Sequence, residues 1–108
     1  MLIDIKKLSD ILKQTGFRVA QDTLPTEGDL PHISYHSVTR KNKRASNAVF
    51  AKQPLYQVSL FTYEPLNDIK ALEAVLDGYG VKYTDFGRME EDDGKRIYHF
   101  YSYVRCME

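Results

Sequence analysis

The chain has 108 residues, of which 43% are hydrophobic and 28% are charged, and its 15 basic side chains balance its 15 acidic ones. A chain of this length forms one domain, residues 1–108, and its zero net charge argues neither for nucleic acid nor for an acidic partner. The single cysteine, Cys106, excludes an internal disulfide framework and a cysteine metal cluster. No apolar stretch approaches the ~20 residues of a membrane span, so we expect an intracellular protein with no membrane partner.

The first predicted element is a helix over residues 4–15. Its apolar residues recur every three or four positions and share one face: Ile5, Leu8, Ile11 and Leu12. Asp4 or Ser9 can cap its start, and Gly16 stands where a left-handed residue ends many helices.

Strands and loops are predicted to follow. Residues 17–20 indicate a brief strand, and residues 21–31, with three acids, prolines and a glycine, indicate a loop. Residues 32–39 have the composition and alternation of a strand. Residues 40–54 lack periodicity and carry five basic residues and no acid, so we expect a long loop, a hairpin arm or a disordered tip there.

A strand that runs directly into a helix is predicted within residues 55–79. Residues 55–63 have the β-branched, aromatic and aliphatic composition of a strand. Pro65 cannot continue a ladder, but it fits the first turn of a helix, for which Asn67 or Asp68 is the expected cap. The apolar residues are then spaced by three and four: Ile69, Leu72, Val75, Leu76 and Tyr79.

The C-terminal part of the chain predicts a hairpin. Residues 81–89 and 95–106 form its strands, and the acidic residues 90–93 with Gly94 form its turn. The elements then follow in the order α-β-β-α-β-β. This order predicts an α+β fold with a single antiparallel or mixed sheet of four strands, or of five if residues 17–20 also form a strand. The two helices are expected on one face of the sheet, and residues 40–54 are expected to form a long arm.

Two of the predicted strands are apolar on both faces. A sheet that helices cover on one side normally presents a polar opposite face. The second faces of these strands instead carry Leu55, Phe61, Tyr63, Ile97, Tyr101 and Tyr103. We therefore expect this second face to be covered, either by the 40–54 arm or by another subunit.

Histidine and cysteine residues give little indication of chemistry. His32 and His36 share a strand face, but a spacing of four suits ligands on a helix, and two imidazoles without a third ligand make a poor metal site. Cys106 could be a nucleophile with His99 as its base, yet nothing else completes a triad. We predict no catalytic, cofactor-binding or metal-binding residue, no cofactor, and hence no enzyme.

Charge is segregated along the neutral chain. The two charged groups are basic and acidic respectively: Arg40, Lys41, Lys43 and Arg44, then Glu90, Glu91, Asp92 and Asp93. The acidic group lacks the ligand pattern of a calcium loop and fits a solvated hairpin tip. The basic group fits a solvated loop, an electrostatic protein contact or a salt-dependent nucleic-acid contact. Such a chain can associate head to tail, and a head-to-tail contact that closes makes a ring.

Four stretches resemble one protein family. They are Asn-Ala-Val-Phe-Ala at 47–51, Tyr-Gln-Val-Ser-Leu-Phe-Thr at 56–62, Leu-Glu-Ala-Val-Leu at 72–76 and Gly-Val-Lys-Tyr at 80–83. Together with the strand that follows Pro31, they resemble the small tail-terminator and head–tail joining (neck) proteins of long-tailed bacteriophages (siphophages), as encoded in Gram-positive prophages. The order of elements matches over nearly the whole chain. The Ala-Asp-Asn step frequent in the arm of that family is absent here.

The resemblance implies a non-enzymatic structural protein that oligomerises, with a hexameric ring as the family expectation. Its partners would be copies of itself, tail-tube proteins and head-connector proteins, first in the host cytoplasm during assembly and then in the neck or tail of the virion. The interface candidates are the two charged groups above and, from the two-faced strands, Leu55, Phe61, Tyr63, Tyr101 and Tyr103. The alternative is a small α+β binding module that contacts nucleic acid through residues 40–44, a partner that the zero net charge does not favour.

Overall fold

The protein is described by a computed structural model that covers residues 2–23, 30–45, 48–91 and 97–107. For residues 40–45, 48–52, 90 and 91 it describes the backbone alone. The elements are β1 (Ile3–Asp4), α1 (Ile5–Lys13), β2 (Arg18–Gln21), β3 (His32–Ala45), β4 (Ala48–Thr62), α2 (Pro65–Gly78), β5 (Gly87–Glu91) and β6 (Ile97–Met107). More of the described chain lies in strands than in helices.

The described strands form one mixed, six-stranded sheet that curls into a half-barrel. Its order is β1-β6-β4-β3-β2, and β5 also pairs with β6. The pairs β3–β4, β4–β6 and β5–β6 are antiparallel, whereas β1–β6 and β2–β3 are parallel. The predicted four- or five-stranded sheet in the order α-β-β-α-β-β is therefore wrong. β1 was not predicted, because two residues are too few to show an alternating pattern. These residues count as a strand because they pair with β6.

Residues 40–45 and 48–54, for which a long loop, a hairpin arm or a disordered tip was predicted, form the outer parts of two long strands. β3 and β4 pair from His32 with Phe61 through to Ala45 with Ala48. Alternation marks a strand only where one face is buried and the other is not. The sequence of this stretch has no such alternation, so the strand pairing was not visible in it.

The ends of α1 are set by local hydrogen bonds. The Asp4 carboxylate accepts a hydrogen bond from the Lys7 amide at 2.7 Å, so Asp4 is the cap. At the other end, the Thr15 hydroxyl donates to the Leu12 carbonyl at 2.8 Å. Gly16 follows with φ of 81°, the left-handed conformation expected of a glycine after a helix.

α2 begins at Pro65 directly after β4, and its expected caps were wrong. Glu64 occupies the cap position and makes no side-chain cap hydrogen bond. The buried Thr62 hydroxyl joins strand to helix instead, because it donates to the Asp68 carboxylate and accepts from the Glu64 amide at 2.9 Å.

The strand predicted over residues 81–89 is displaced toward the C-terminus. β5 spans Gly87–Glu91, and residues 81–86 are irregular. Within them Thr84 takes the place of a strand residue: its amide donates to the Tyr103 carbonyl at 3.1 Å, and its hydroxyl accepts from the Tyr103 amide at 2.9 Å. Thr84 thus satisfies the edge of β6 between its pairing with β5 and its pairing with β1.

The hydrophobic core lies between the two helices and one face of the sheet. The helices contribute Leu8, Ile11 and Leu12 from α1 and Leu72 and Leu76 from α2. The sheet contributes Ile33, Tyr35, Tyr56, Val58, Leu60, Val104 and Cys106. We call the opposite side the distal face; it carries His32, Ser34 and His36 on β3, Leu55, Gln57, Ser59 and Phe61 on β4, and His99, Tyr101 and Tyr103 on β6.

Candidate oligomerisation surfaces

The hairpin of β3 and β4 extends beyond the rest of the sheet. We call residues 40–45 and 48–54 the projecting ribbon, because in the described chain these residues pair only with each other. Six paired residues at ~3.3 Å each give a length of roughly 20 Å. A two-stranded ribbon by itself is marginally stable in water. The ribbon is therefore expected to add little to the stability of the domain by itself.

The base of the projecting ribbon has a defined geometry. Ser37 pairs with Tyr56 and Thr39 with Leu55, so Val38 is an extra residue that forms a bulge where the ribbon leaves the sheet. Bulges bend a strand and increase its twist. Two residues from Leu55 along β4, the Gln53 carbonyl accepts a hydrogen bond from the Arg105 guanidinium at 2.8 Å. The bulge and the Arg105 hydrogen bond together set the direction in which the ribbon leaves the sheet.

Four of the predicted contact residues, Arg40, Lys41, Lys43 and Arg44, lie in the projecting ribbon as strand residues of β3. Their register partners on β4 are Pro54, Gln53, Ala51 and Val49, respectively. With Lys52 they give the ribbon five positive charges and no negative one. The ribbon is consequently a basic element on a neutral protein.

The distal face is buried at one end and half-exposed at the other. His32, Ser34, Ser59, Phe61 and His99 are all buried in the single chain. His36, Leu55, Gln57, Tyr101 and Tyr103, which lie toward the ribbon or at the β6 side, are half-buried. Only this second part of the face is accessible to another molecule.

Aromatic and imidazole rings on β4 and β6 form a series of contacts on the distal face. Phe61 and His99 stack with centroids 4.2 Å apart, and Tyr101 stands edge-on to His99 at 6.2 Å and to Tyr103 at 6.2 Å. His32 lies across from Phe61, and both of its ring nitrogens are buried with no hydrogen-bond partner among the described residues. These ring contacts order this part of the distal face.

The Tyr101 ring packs against Gly87, in the space that a side chain at position 87 would occupy. A Cβ atom at Gly87 would lie 2.6 Å from Cζ and 2.7 Å from the hydroxyl oxygen of Tyr101, so the ring crosses over the glycine. The absence of a side chain at Gly87 therefore leaves the space that the Tyr101 ring occupies.

We expect Gly87→Ala to destabilise the protein by about 1–3 kcal/mol, because the added methyl group must displace the ring. Chemical denaturation measures the loss, and Tyr101→Ala should remove most of it in a double-mutant cycle. Gly78→Ala is the matched control, since an added Cβ there meets nothing within 4 Å. Equal effects of the two glycine substitutions would contradict the role of Gly87.

The remaining predicted contact residues are scattered. Phe61 is buried against His99 and cannot meet another subunit without rearrangement. Tyr63 lies beyond the end of β4 with 45% of its surface exposed. Glu90 and Glu91 belong to β5 rather than to a turn, and Asp92 and Asp93 lie outside the described residues. Leu55, Tyr101 and Tyr103 remain as members of the accessible part of the distal face.

A groove that the sequence did not indicate lies beside α2. We call it the α2 groove; its volume is about 650 Å³. Its apolar lining includes Ile69, Val81 and Phe100, and its charged lining consists of Glu73, Asp77, Asp85 and Lys82. The apolar side chains are buried or half-buried, whereas Asp77, Lys82 and Asp85 are exposed. The groove thus has an apolar interior and a rim with three carboxylates and one ammonium group.

Tyr83 is held at this rim. Its hydroxyl donates a hydrogen bond to the Asp77 carboxylate at 2.8 Å, and its ring packs against Phe86 with centroids 5.5 Å apart. Burial, followed by the hydrogen bond and the negative charge of Asp77, raises the pKa of Tyr83 to about 12. The phenol stays neutral at any physiological pH and keeps Asp77 in place.

The nucleophile–base pair that the sequence allowed does not form. Cys106 belongs to the core side of β6 and His99 to the distal face, so the sheet separates them. Burial raises the pKa of the Cys106 thiol to about 11, with the negative charge of Asp4 adding to the shift. A reactive cysteine needs the opposite, a depressed pKa.

We expect the buried thiol to make the protein sensitive to alkali. The folded state raises the pKa of Cys106 from 9.0 to about 11, so its stabilising contribution is present below pH 9 and is lost as the pH rises through about 11. The free energy of unfolding from urea titrations should fall over this window in the wild type and fall less in Cys106→Ala. Parallel pH profiles for the two proteins would contradict this expectation.

The described residues contain no group of three or more His, Cys, Asp and Glu side chains that could hold a metal ion. No helix among them has the length and apolar character needed to cross a membrane.

No protein-family model matches this chain, and no curated protein matches it.

Proposed function

We propose that this protein is a non-enzymatic structural subunit of a long-tailed phage, a tail terminator or head–tail joining protein that works by forming a ring at the neck or tail end. The observation that carries the proposal is the projecting ribbon. It leaves the sheet as two strands with no further strand beside them in the described chain. Because a two-stranded ribbon adds little stability by itself, contact with another molecule is the role that best accounts for it.

Two further features support an assembling protein. The half-exposed part of the distal face presents Leu55, Tyr101 and Tyr103, which are apolar or aromatic side chains of the type enriched in interfaces. The ribbon is basic, whereas the rim of the α2 groove is mainly acidic. Opposite charges on separate surfaces favour a heterologous contact, which closes into a ring when its rotation permits. The hexameric ring, the tail-tube partner, the head-connector partner and the location in the virion come from the family resemblance and belong to the proposal.

A tube-capping experiment tests the proposal. A tail-tube protein from the phage that carries this gene is polymerised with and without the purified protein, and tube ends are imaged by negative stain. We expect ring density at one end of the tubes and an arrest of their growth. Tubes that grow equally in both samples, with bare ends, would refute the proposed function.

A second candidate function has one observation in its favour. The basic residues lie on a two-stranded ribbon, and the major groove of B-DNA admits such a ribbon. If phosphate is the partner, replacing Arg40, Lys41, Lys43 and Arg44 with Ser should flatten the slope of log K against log salt concentration. If the ribbon binds protein, duplex DNA should show little binding at physiological salt, and the substitutions should change subunit association instead.

A further inference from the structure

We infer that the α2 groove of one copy of this chain receives the projecting ribbon of a second copy. The inference rests on the proposed function, since it names the surface that the ribbon meets in the ring. It makes the contact head to tail, with a different surface on each side, so every subunit offers one ribbon and one groove.

The first ground is charge complementarity. Glu73, Asp77 and Asp85 place three carboxylates on the groove, against one ammonium group from Lys82. Arg88 lies near the lining residue Phe100, with its guanidinium 5.9 Å from the Phe100 ring centroid, and it is already engaged over the Tyr98 ring at 4.3 Å. The ribbon brings five positive charges and no negative one. The two surfaces therefore attract each other, whereas two ribbons or two grooves repel.

The second ground is the mixed character of both surfaces. Beneath its charged rim, the groove is lined by buried or half-buried apolar groups such as Ile69, Val81 and Phe100. The outer part of the ribbon combines Lys43 and Arg44 on one strand with Val49 and Phe50 on the other. An interface of apolar centre and charged rim is the usual anatomy of a protein contact.

The third ground is position. The ribbon leaves the sheet from the β3–β4 hairpin, while the groove lies on the β6 side, against α2 and residues 81–86. The groove is therefore built from parts of the fold that the ribbon does not use. A subunit can fill its neighbour's groove while its own groove receives another ribbon, which is the condition for a chain of contacts that closes.

Two charge-reversed variants test the contact. The groove variant is Glu73→Lys with Asp85→Lys; Asp77 stays because it holds the Tyr83 hydroxyl. The ribbon variant is Lys43→Glu with Arg44→Glu. Sedimentation velocity at about 50 mM salt, where exposed charges are weakly screened, measures association. Each variant alone should lose at least about 100-fold in association constant, because like charges then face each other.

The mixture of the two variants gives the decisive result. The native ribbon of the groove variant fits the native groove of the ribbon variant, and the two reversed surfaces attract each other as well. We therefore expect the mixture to assemble while each component alone stays monomeric. Asp10→Lys with Glu64→Lys is the matched control: it changes the net charge by the same amount at exposed positions outside the groove and should assemble like the wild type.

The outcomes separate this inference from the proposed function. If the groove variant assembles like the wild type, or the mixture stays monomeric, the α2 groove is not the ribbon's site, and ring formation must use another surface. If the wild type neither associates nor caps tail tubes, the proposed function itself fails. Circular dichroism of each variant shows that it is folded before association is measured.

Discussion

A chain in which Asn-Gly replaces residues 42–52 is expected to be a folded monomer that no longer associates. Lys41 and Gln53 are register partners on adjacent strands, so a two-residue type I′ turn can join them. The Gln53 carbonyl that receives the Arg105 hydrogen bond is kept. No residue of the described core lies in the removed segment. The truncation thus removes the outer ribbon and leaves the domain.

The truncated chain is measured in two ways. Light scattering should show a monomer at concentrations where the wild type forms larger particles, and tail tubes should remain uncapped in its presence. Thermal unfolding should show a midpoint at or slightly above that of the wild type, because shortening the connection between Lys41 and Gln53 lowers the entropy cost of loop closure by about 1.5 kcal/mol. Wild-type association by the truncated chain would contradict the role of the ribbon, and a large fall in the midpoint would show that the ribbon supports the core.

Leu72→Ala is expected to have the largest effect on stability. Leu72 lies on α2 with none of its surface exposed, at the centre of the helix–sheet core. Removing its three carbons should cost about 2–5 kcal/mol of unfolding free energy, from lost burial and the cavity left behind. A domain of this size has a total stability of about 5–15 kcal/mol. The variant should therefore unfold at a much lower denaturant concentration than the wild type.

The same helix supplies the control for that prediction. Leu66→Ala makes the identical chemical change on α2, but Leu66 has 61% of its surface exposed. Its effect should stay within about 0.5 kcal/mol, since surface substitutions away from special features do little. Urea denaturation of both variants provides the comparison. Similar losses for Leu66→Ala and Leu72→Ala would mean that α2 does not pack against the sheet as described.

The elements best predicted from sequence were those with one buried face. The apolar residues of α1 and α2 recur with the helical period because they are the ones that contact the core. Pro65 marks the start of α2 because its fixed φ suits a first helical turn. The alternation of Tyr56, Val58 and Leu60 likewise placed them on the core side of β4. Where a buried face exists, the period of the sequence reports it.

The sheet itself could not be predicted because its strands are paired by the backbone. β1 and β2 are short edge strands that lie parallel to β6 and β3, and parallel pairing leaves no turn signal in the sequence. Residues 40–45 and 48–54 show no alternation of apolar and polar residues, so the sequence pattern did not extend β3 and β4 into the ribbon. The predicted number of strands was wrong because β1 has no pattern of its own.

The candidate surfaces were predicted unevenly. The two-sided apolar character of β4 and β6 pointed to the distal face, where Leu55, Tyr101 and Tyr103 are half-exposed. It could not show that Phe61 is buried by stacking on His99, since that contact joins residues far apart in the chain. The α2 groove was missed for the same reason: its lining comes from α2, residues 81–86 and β6.

Hydrogen exchange of the ribbon amides tests the central claim, that this protein works by docking its ribbon on another molecule. In the dilute monomer, amides of residues 40–45 and 48–53 should exchange much faster than those of residues 56–60, because an isolated ribbon opens easily. In the assembled ring, or on capped tail tubes, the ribbon amides should become protected while those of residues 56–60 stay as they were. Ribbon amides that exchange equally fast in the monomer and in the assembly would contradict the claim.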